Sequence, residues 1–433
     1  MSANRFHLAW FGAGGFGVKS WRKTWSGNGG WDWTSPQLFI DLAMALERAC
    51  FDYLIIEDSS YVPDAYGGNA QAYLASATAT PKLDPTVLAP VLAQATSKIG
   101  IVPTLSVTEY HPYMLARKIN TMDHMSGGRT GWNIVTSSSH RAAQNYGHDQ
   151  QVEHDLRYDM ADEFFELACK LWDSWEADAV ALDERNGVWA DHTKVHTVDF
   201  AGKFFSSRGP LNANRSPQGR PVFTQAGGSD RGKEFAASTA DSIICGTAGG
   251  VAEMKRFRDD VHQRMTRLGR PTGACKILFM CSPVVGETDA EAREKRAQQI
   301  AFAEEHPELG LLHLSRHSGI DFSVFPLDEP IPDTVSTNGH QQLLRQAIGL
   351  TPREFLRRTQ GAVEMVGSPD TIAAQMDEIM QEVGGDGFLI SNFDLNRRYI
   401  SEITDGLVPA LQRRGLVRTE YSHPLFRDNL LEF

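Results

Sequence analysis

The sequence predicts an α/β protein built as a (β/α)8 barrel. Short apolar runs alternate with longer amphipathic segments, the pattern of a parallel sheet covered by helices. Eight candidate strands can be counted, the first close to the N-terminal end. The 433 residues also suit one large unit, because such barrels hold roughly 250 residues or more in a single domain. A doubly wound sheet shows the same alternation, and the strand count places the barrel ahead of it.

The strands are expected at 6–11, 53–56, 99–102, 130–135, 221–225, 242–245, 276–284 and 387–390, each a short run rich in Ile, Val, Leu or Phe. Helical periodicity fits 36–50, 85–96, 112–125, 154–172, 230–238, 248–268 and 401–413. Two intervals exceed plain connections. Residues 176–220 are rich in Asp, Asn, Gly and Pro with short apolar pairs, which predicts a hairpin insertion. Residues 286–385 carry helical runs at 290–303 and 341–356 around a loop with Pro326, Pro330 and Pro332. That interval is expected to form a helical insertion at the barrel mouth, the whole of 1–433 remaining one domain.

Composition is that of an ordinary globular protein, 41% hydrophobic and 22% charged, with a formal net charge of −12. An acidic chain without a basic cluster argues against nucleic acid or an anionic membrane surface as partner and leaves small molecules. The five cysteines are widely spaced and form no CxxC pair, so reduced core residues are expected rather than a disulfide framework or a metal site. There is no leader-like N-terminal segment and no long uncharged apolar run, which predicts a cytoplasmic protein.

Gly12 to Gly17 spell a formal GxGxxG after the first strand, but a Trp- and Gly-rich loop follows where a dinucleotide fold needs a helix. Five of the nine Trp residues, Trp10, Trp21, Trp25, Trp31 and Trp33, lie in this region, either to line an apolar pocket or to pack the loop on the barrel. Asp58 follows the second strand and Thr104 the third, where polar side chains at C-terminal strand ends face a barrel site or cap the next helix. His154 and Tyr158, at i and i+4, share one face of a helix start, fit for gripping a phosphate or for packing. Gln225-Ala226-Gly227-Gly228-Ser229 leads from a strand to a helix, where bare N–H groups and a hydroxyl suit a phosphate or serve as an N-cap. Ser138 lies just past the fourth strand, in a Ser137-Ser138-Ser139-His140 run. His317, within the long helical interval, suits acid–base work if that segment covers the site. No GxSxG, HExxH or Walker A pattern occurs.

Taken in order, several segments resemble the flavin-dependent monooxygenases of the nitrilotriacetate monooxygenase, pristinamycin synthase and dibenzothiophene sulfone monooxygenase family, within the bacterial luciferase superfamily. They are Leu115-Ala116-Arg117, Asp123 to Arg129 leading into Trp132 to Thr136, Glu153 to Phe164, and Lys194-Val195-His196. Gly209-Pro210-Leu211, Arg215 to Gly219, Gln225-Ala226-Gly227 with Ser229, Pro326-Leu327-Asp328 and Leu416 to Tyr421 complete the set. The resemblance runs from about Phe6 to Leu430.

It implies a luciferase-type TIM barrel, reduced FMN and O2 as cosubstrates, a flavin 4a-peroxide, and a separate NAD(P)H:flavin reductase as partner. By matching position it implies FMN contacts at Asp58, Thr104, His154, Tyr158 and Ser229, the last on the phosphate. It places His317 near the flavin's reactive edge and gives His111, Asn133 and Ser138 provisional catalytic roles on the same face. A homodimer or homotetramer is expected. The chain departs from its relatives at 14–34, at 61–82 and at 422–426, where substrate specificity usually lies. The Trp-rich loop favours an apolar, aromatic or sulfur-containing substrate, whereas Lys19, Arg22 and Lys23 keep an anionic one open. A self-contained flavin oxidoreductase and a non-catalytic flavin-binding subunit are the alternatives.

Overall fold

The computed structural model describes residues 5–12, 28–246, 249–337, 341–360, 363–391 and 395–433. Within them lie strands β1 (His7–Gly12), β2 (Tyr53–Ile56), β3 (Gly100–Ser106), β4 (Gly131–Val135), β5 (Val180–Asp183), β6 (Val188–Ala190) and β7 (Phe200–Ala201). β8 (Ser206–Ser207), β9 (Val222–Gln225), β10 (Ser242–Cys245), β11 (Lys276–Cys281), β12 (Val284–Val285), β13 (Val366–Gly367) and β14 (Gly387–Ser391) follow. Eight of these close a barrel in the order β1-β14-β11-β10-β9-β4-β3-β2. Every pairing around it is parallel. The expected (β/α)8 architecture is therefore the observed one.

A strand covered on both faces reads as an unbroken apolar run, as Tyr-Leu-Ile-Ile does in β2, and all four of its residues are buried. Alternate residues divide between two cores. Ala9, Tyr53, Val102, Val222, Leu278 and Leu389 fill the barrel lumen. Leu8, Trp10, Leu54, Ile101, Trp132 and Ile277 pack outward against the helices. The helix Phe426–Leu430 adds Phe426 and Leu430 to the lumen core, and the Phe426 ring lies 5.6 Å from Tyr53 at the start of β2. The N-terminal end of the barrel is plugged by this segment, and a site can open only at the other end.

Three expected elements are interrupted, each for a local reason. The run 276–284 ends at Cys281 because Pro283 lacks a ladder donor; Val284 and Val285 pair instead with Val366 and Gly367. The run 341–356 is two helices, Gln341–Ala347 and Pro352–Gln360, parted by Gly349 at φ +80° and by Pro352 at a helix start. The run 401–413 begins earlier, at Arg397, and carries a π-helical stretch, Glu402–Leu407, just before Pro409. A proline in a helix removes one N–H and pushes against the preceding turn, and widening that turn accommodates both effects.

Residues 176–220 hold two antiparallel ribbons, β5 with β6 and β7 with β8. Between β12 and β13 the helices Asp289–Glu305, Pro307–Ser318, Gln341–Ala347 and Pro352–Gln360 gather, with a small core of Leu311, Leu314, Phe322, Ile331 and Phe355. The helix Pro369–Val383, also inside the 286–385 interval, packs on the barrel helices Gly250–Arg267 and Val408–Arg413. Of the Trp cluster, Trp10 is core between Phe51 and Tyr399, Trp33 packs edge-on to Phe39 at 5.2 Å, and Trp31 is exposed. Trp21 and Trp25, the end of the GxGxxG run, Lys19, Arg22 and Lys23 lie outside the described residues.

Candidate active site

At the C-terminal ends of the strands the lumen turns polar. Thr104, Asn133 and Thr224 stand in register on β3, β4 and β9. Asn133 Nδ2 donates to Thr104 Oγ1 at 2.9 Å, and Thr224 Oγ1 donates to Asn133 Oδ1 at 3.2 Å. All three are buried, so the chain satisfies groups that would otherwise be costly to remove from water. Ser391 ends β14 with its hydroxyl buried and, among the described residues, without a hydrogen-bond partner. Thr104 and Asn133, expected at the site from sequence, are thus joined directly.

A second group lies where β9 gives way to the helix Asp230–Thr239. Ser229 caps that helix, its Oγ accepting from Gly232 N at 3.0 Å. The Tyr158 hydroxyl borders the same Gly232 as Ser229 Oγ, and burial raises the Tyr158 phenol against the pull of Ser229 and Gln225 nearby. Gln225 Oε1 is buried and has no hydrogen-bond partner among the described residues. A Cβ on Gly232 would come within 2.7 Å of Tyr158 Oη and 3.0 Å of Ser229 Oγ, and one on Gly227 within 2.6 Å of Gln225 Oε1. Two glycines therefore keep open a polar cradle at a helix N-terminus, the place where backbone N–H groups and the helix dipole favour an anion. The His154 ring lies 5.3 Å from Tyr158, half-buried, with Nδ1 2.7 Å from Asp155 Oδ1. Tyr158, His154 and Ser229 come together as their spacing suggests.

The third group surrounds the end of β2. Glu57 pairs with Lys82, and Arg316 Nη2 donates to Glu57 Oε1 at 2.9 Å. Burial alone would raise the Glu57 carboxyl, but the two cations hold it well below the usual carboxylate range. Its neighbour Asp58 behaves oppositely: burial, against the pull of Lys82 and aided by the Glu57 charge, pushes it up to about 6. Glu109 is likewise raised by burial. Glu57, Lys82, Arg316, Glu109 and Thr224 stand beside these candidates, and sequence reasoning did not single them out. The signal for Glu57 was present, since an acid ending an apolar barrel strand requires a cation.

The remaining candidates stand further out. His111 is exposed and caps the helix Pro112–Ser126, its Nδ1 accepting from Tyr113 N at 3.2 Å, with its ring edge-on to Phe205. Ser138 is exposed past β4, beyond Ser137 at φ +52°. His317 is exposed on the last turn of Pro307–Ser318, next to the half-buried Arg316. The five cysteines are free; burial pushes Cys169, Cys245 and Cys275 up to about 12, away from thiolate chemistry. No described helix is long and apolar enough to cross a membrane.

A closed parallel barrel, plugged at one end and polar at the other, with an anion cradle on the rim, is the frame of an enzyme that works at its strand ends. The chain belongs to the luciferase-like monooxygenase family, whose description it matches over residues 19–387. It is 38% identical to dibenzothiophene-sulfone monooxygenase of Rhodococcus erythropolis (strain XP), over 98% of this chain and 96% of that one. It is 36% identical to nitrilotriacetate monooxygenase component A of Aminobacter aminovorans, over 93% of each. A solved riboflavin lyase with modified FMN and riboflavin superposes with a TM-score of 0.87 at 28% identity, covering 99% of this chain and 96% of that chain. These relatives bear out the resemblance read from the motifs, and the protein is an oxygenase.

Proposed function

We propose that this monooxygenase is the oxygenating member of a two-component system. It takes reduced FMN from a separate NAD(P)H:flavin reductase and uses O2 to oxygenate a small uncharged substrate, apolar, aromatic or sulfur-containing. The observation that carries the reading is the cradle of Tyr158, Ser229, Gly227 and Gly232 at a helix N-terminus. Its helix N-terminus and hydroxyl donors fit the phosphate of a mononucleotide. When bound, reduced FMN supplies the two electrons by which one atom of O2 enters the substrate and the other leaves as water.

The chain's own residues then divide the work. Ser229 and Tyr158 hold the phosphate, with His154 beside them. Thr104 and Asn133 offer their hydroxyl and amide to the polar edge of the ring system, and Asp58 accepts from the chain between ring and phosphate. The helical segment within 286–385 covers the mouth, brings His317 toward the reacting atoms and excludes water. His111 and Ser138 line the outer approach.

Among the described residues, the charge pattern around the end of β2 favours an uncharged substrate. Lys82 and Arg316 are both engaged by Glu57, and Arg141 by Asp64, so these cations are not available to grip a polycarboxylate. A dibenzothiophene-sulfone relative agrees with that preference better than the nitrilotriacetate one.

The test is turnover with reductase, NADH, FMN and 18O2 against a panel of sulfur, aromatic and amine compounds. The expected result is one labelled oxygen in a product, strictly dependent on the reductase. Anaerobic bleaching of bound FMN by NADH alone would instead make this a self-contained oxidoreductase. Tight FMN binding with no compound consumed would make it a carrier.

A further inference from the structure

We propose that Glu57 is a positioning residue: its carboxylate, set directly at the end of β2, holds Arg316 and so fixes the helix Pro307–Ser318, with His317 on its last turn, against the barrel rim. The inference rests on the reading of that rim as the oxygenating site.

The side chains of Glu57, Lys82 and Arg316 are only 17%, 8% and 10% exposed, so none of these charges is tolerable without a partner. Lys82 comes from the loop before the helix Pro85–Ala95, whereas Arg316 lies 259 positions along the chain from Glu57. Arg316 Nη2 also donates to Ser59 Oγ at 3.1 Å, so the guanidinium grips the first residues after β2 at two points. Three further bonds between this helical segment and the connection after β2 are of a different kind. Tyr73 Oη donates to Leu312 O at 3.1 Å, Gly67 N donates to Asp321 Oδ1 at 2.9 Å, and Tyr61 Oη donates to Arg316 O at 3.5 Å. Tyr61, Gly67 and Tyr73 sit on the long connection after β2, Tyr73 on its short helix Gln71–Ser76, and tie the segment to that connection rather than to the barrel wall. Glu57 is bonded into the ladder end itself, its N–H donating to Gly12 O at 3.0 Å, and refers the helix to the barrel wall.

Arg316 and His317 are successive residues of a helix that stops at Gly319 in the left-handed conformation, φ +73°. Holding the first therefore fixes the direction in which the second leaves the helix. The two cations on one carboxylate also make the contact separable. When Arg316 withdraws into water, Lys82 still neutralises Glu57, and no lone buried charge is left behind. A bond of this kind sets the position of a cover without locking it shut.

Amide hydrogen exchange on the full chain without flavin, comparing wild type, Glu57→Gln, Arg316→Met and Lys82→Met, tests the inference. In Glu57→Gln and Arg316→Met, exchange over 307–318 is expected to rise roughly tenfold or more while β3 and β4 keep their protection. Lys82→Met, which retains the Glu57–Arg316 pair, is expected to keep 307–318 protected. With reductase, NADH and an accepted substrate, the first two variants should yield about half the product per NADH or less, the remainder appearing as hydrogen peroxide, with FMN affinity within about twofold of wild type. Unchanged exchange over 307–318 in a folded variant overturns the proposal, and so does raised exchange with product per NADH intact. If Glu57→Gln does not fold, Arg316→Met carries the test, because its Glu57 remains paired with Lys82. Failure of the oxygenase reading shows separately, as wild-type enzyme that forms no oxygenated product, and the exchange comparison then still decides whether Glu57 holds the helix.

Discussion

Glu57 and Asp58 are adjacent carboxylates with opposite electrostatics, and the difference is set by which of them reaches a cation. Glu57 is flanked by Lys82 and Arg316, so its contribution to stability is present above an ordinary carboxylate pKa of 4.5 and is lost as the pH falls. Asp58 is raised from 3.8 to about 6, so the folded protein binds its proton more tightly than the unfolded chain does. Stability from this group falls as the pH rises through that window and stays reduced above it. Asp58→Asn is therefore expected to stabilise the flavin-free protein by about 1 to 3 kcal/mol near neutral pH. The gain should vanish below the ordinary aspartate pKa, as urea denaturation across the pH range will show. The same variant is expected to bind FMN more weakly, because it loses an acceptor at the proposed ribityl contact.

At the scale of elements, the rim is built by register and capping. Asn133 joins β3 to β9 through two side-chain bonds, and Asn133→Ala strands the buried Thr104 and Thr224 hydroxyls. A loss of about 2 to 4 kcal/mol in denaturant stability is expected, with weaker FMN binding in whatever remains folded. Gly232 separates cradle from helix more cleanly. Alanine there suits the first turn of a helix, worth up to about 1 kcal/mol, but its methyl group would press on Tyr158 Oη and Ser229 Oγ. Gly232→Ala is expected to leave the melting temperature near that of wild type and to weaken FMN binding about tenfold in a fluorescence titration. The helix positions were legible because caps and prolines announce them: Asp84 before Pro85, His111 before Pro112 and Ser229 before Asp230 all cap helices that begin where the sequence places them. The breaks at Pro283, Gly349 and Pro409 were legible in the same residues, but periodicity carried across them.

At the scale of the molecule, the two ends of the barrel have separate duties. At the closed end, buried Arg418 Nη2 donates to Asp52 Oδ1 at 2.8 Å, His7 Nδ1 lies 3.0 Å from the same oxygen, and the His7 ring stacks on Phe433 at 4.3 Å. Burial would raise Asp52, and His7 and Arg418 hold it below its ordinary value. Asp52→Asn leaves the buried Arg418 guanidinium with only Glu432, at 3.2 Å, as counter-charge and is expected to cost roughly 1.5 to 3 kcal/mol by urea denaturation. FMN affinity should not change, because the cradle lies at the opposite end of the strands. An effect on affinity equal to that of Gly232→Ala would overturn this division between a stabilising end and a working end.

The barrel itself was determined by the sequence alone. Strands buried on both faces must be continuous apolar runs, and eight of them separated by amphipathic helices leave few ways to bury every face. The cradle was also written locally, since Gln225 to Ser229 is one turn of chain between one strand and one helix. Only the tertiary structure decided which charges meet. Glu57 finds Arg316 across 259 positions, and the Phe426–Leu430 helix returns to plug the strands where the chain began. Pairing over such distances follows from how the barrel closes, and hydrophobic periodicity, which reports what each element hides, carries no information about which element lies opposite.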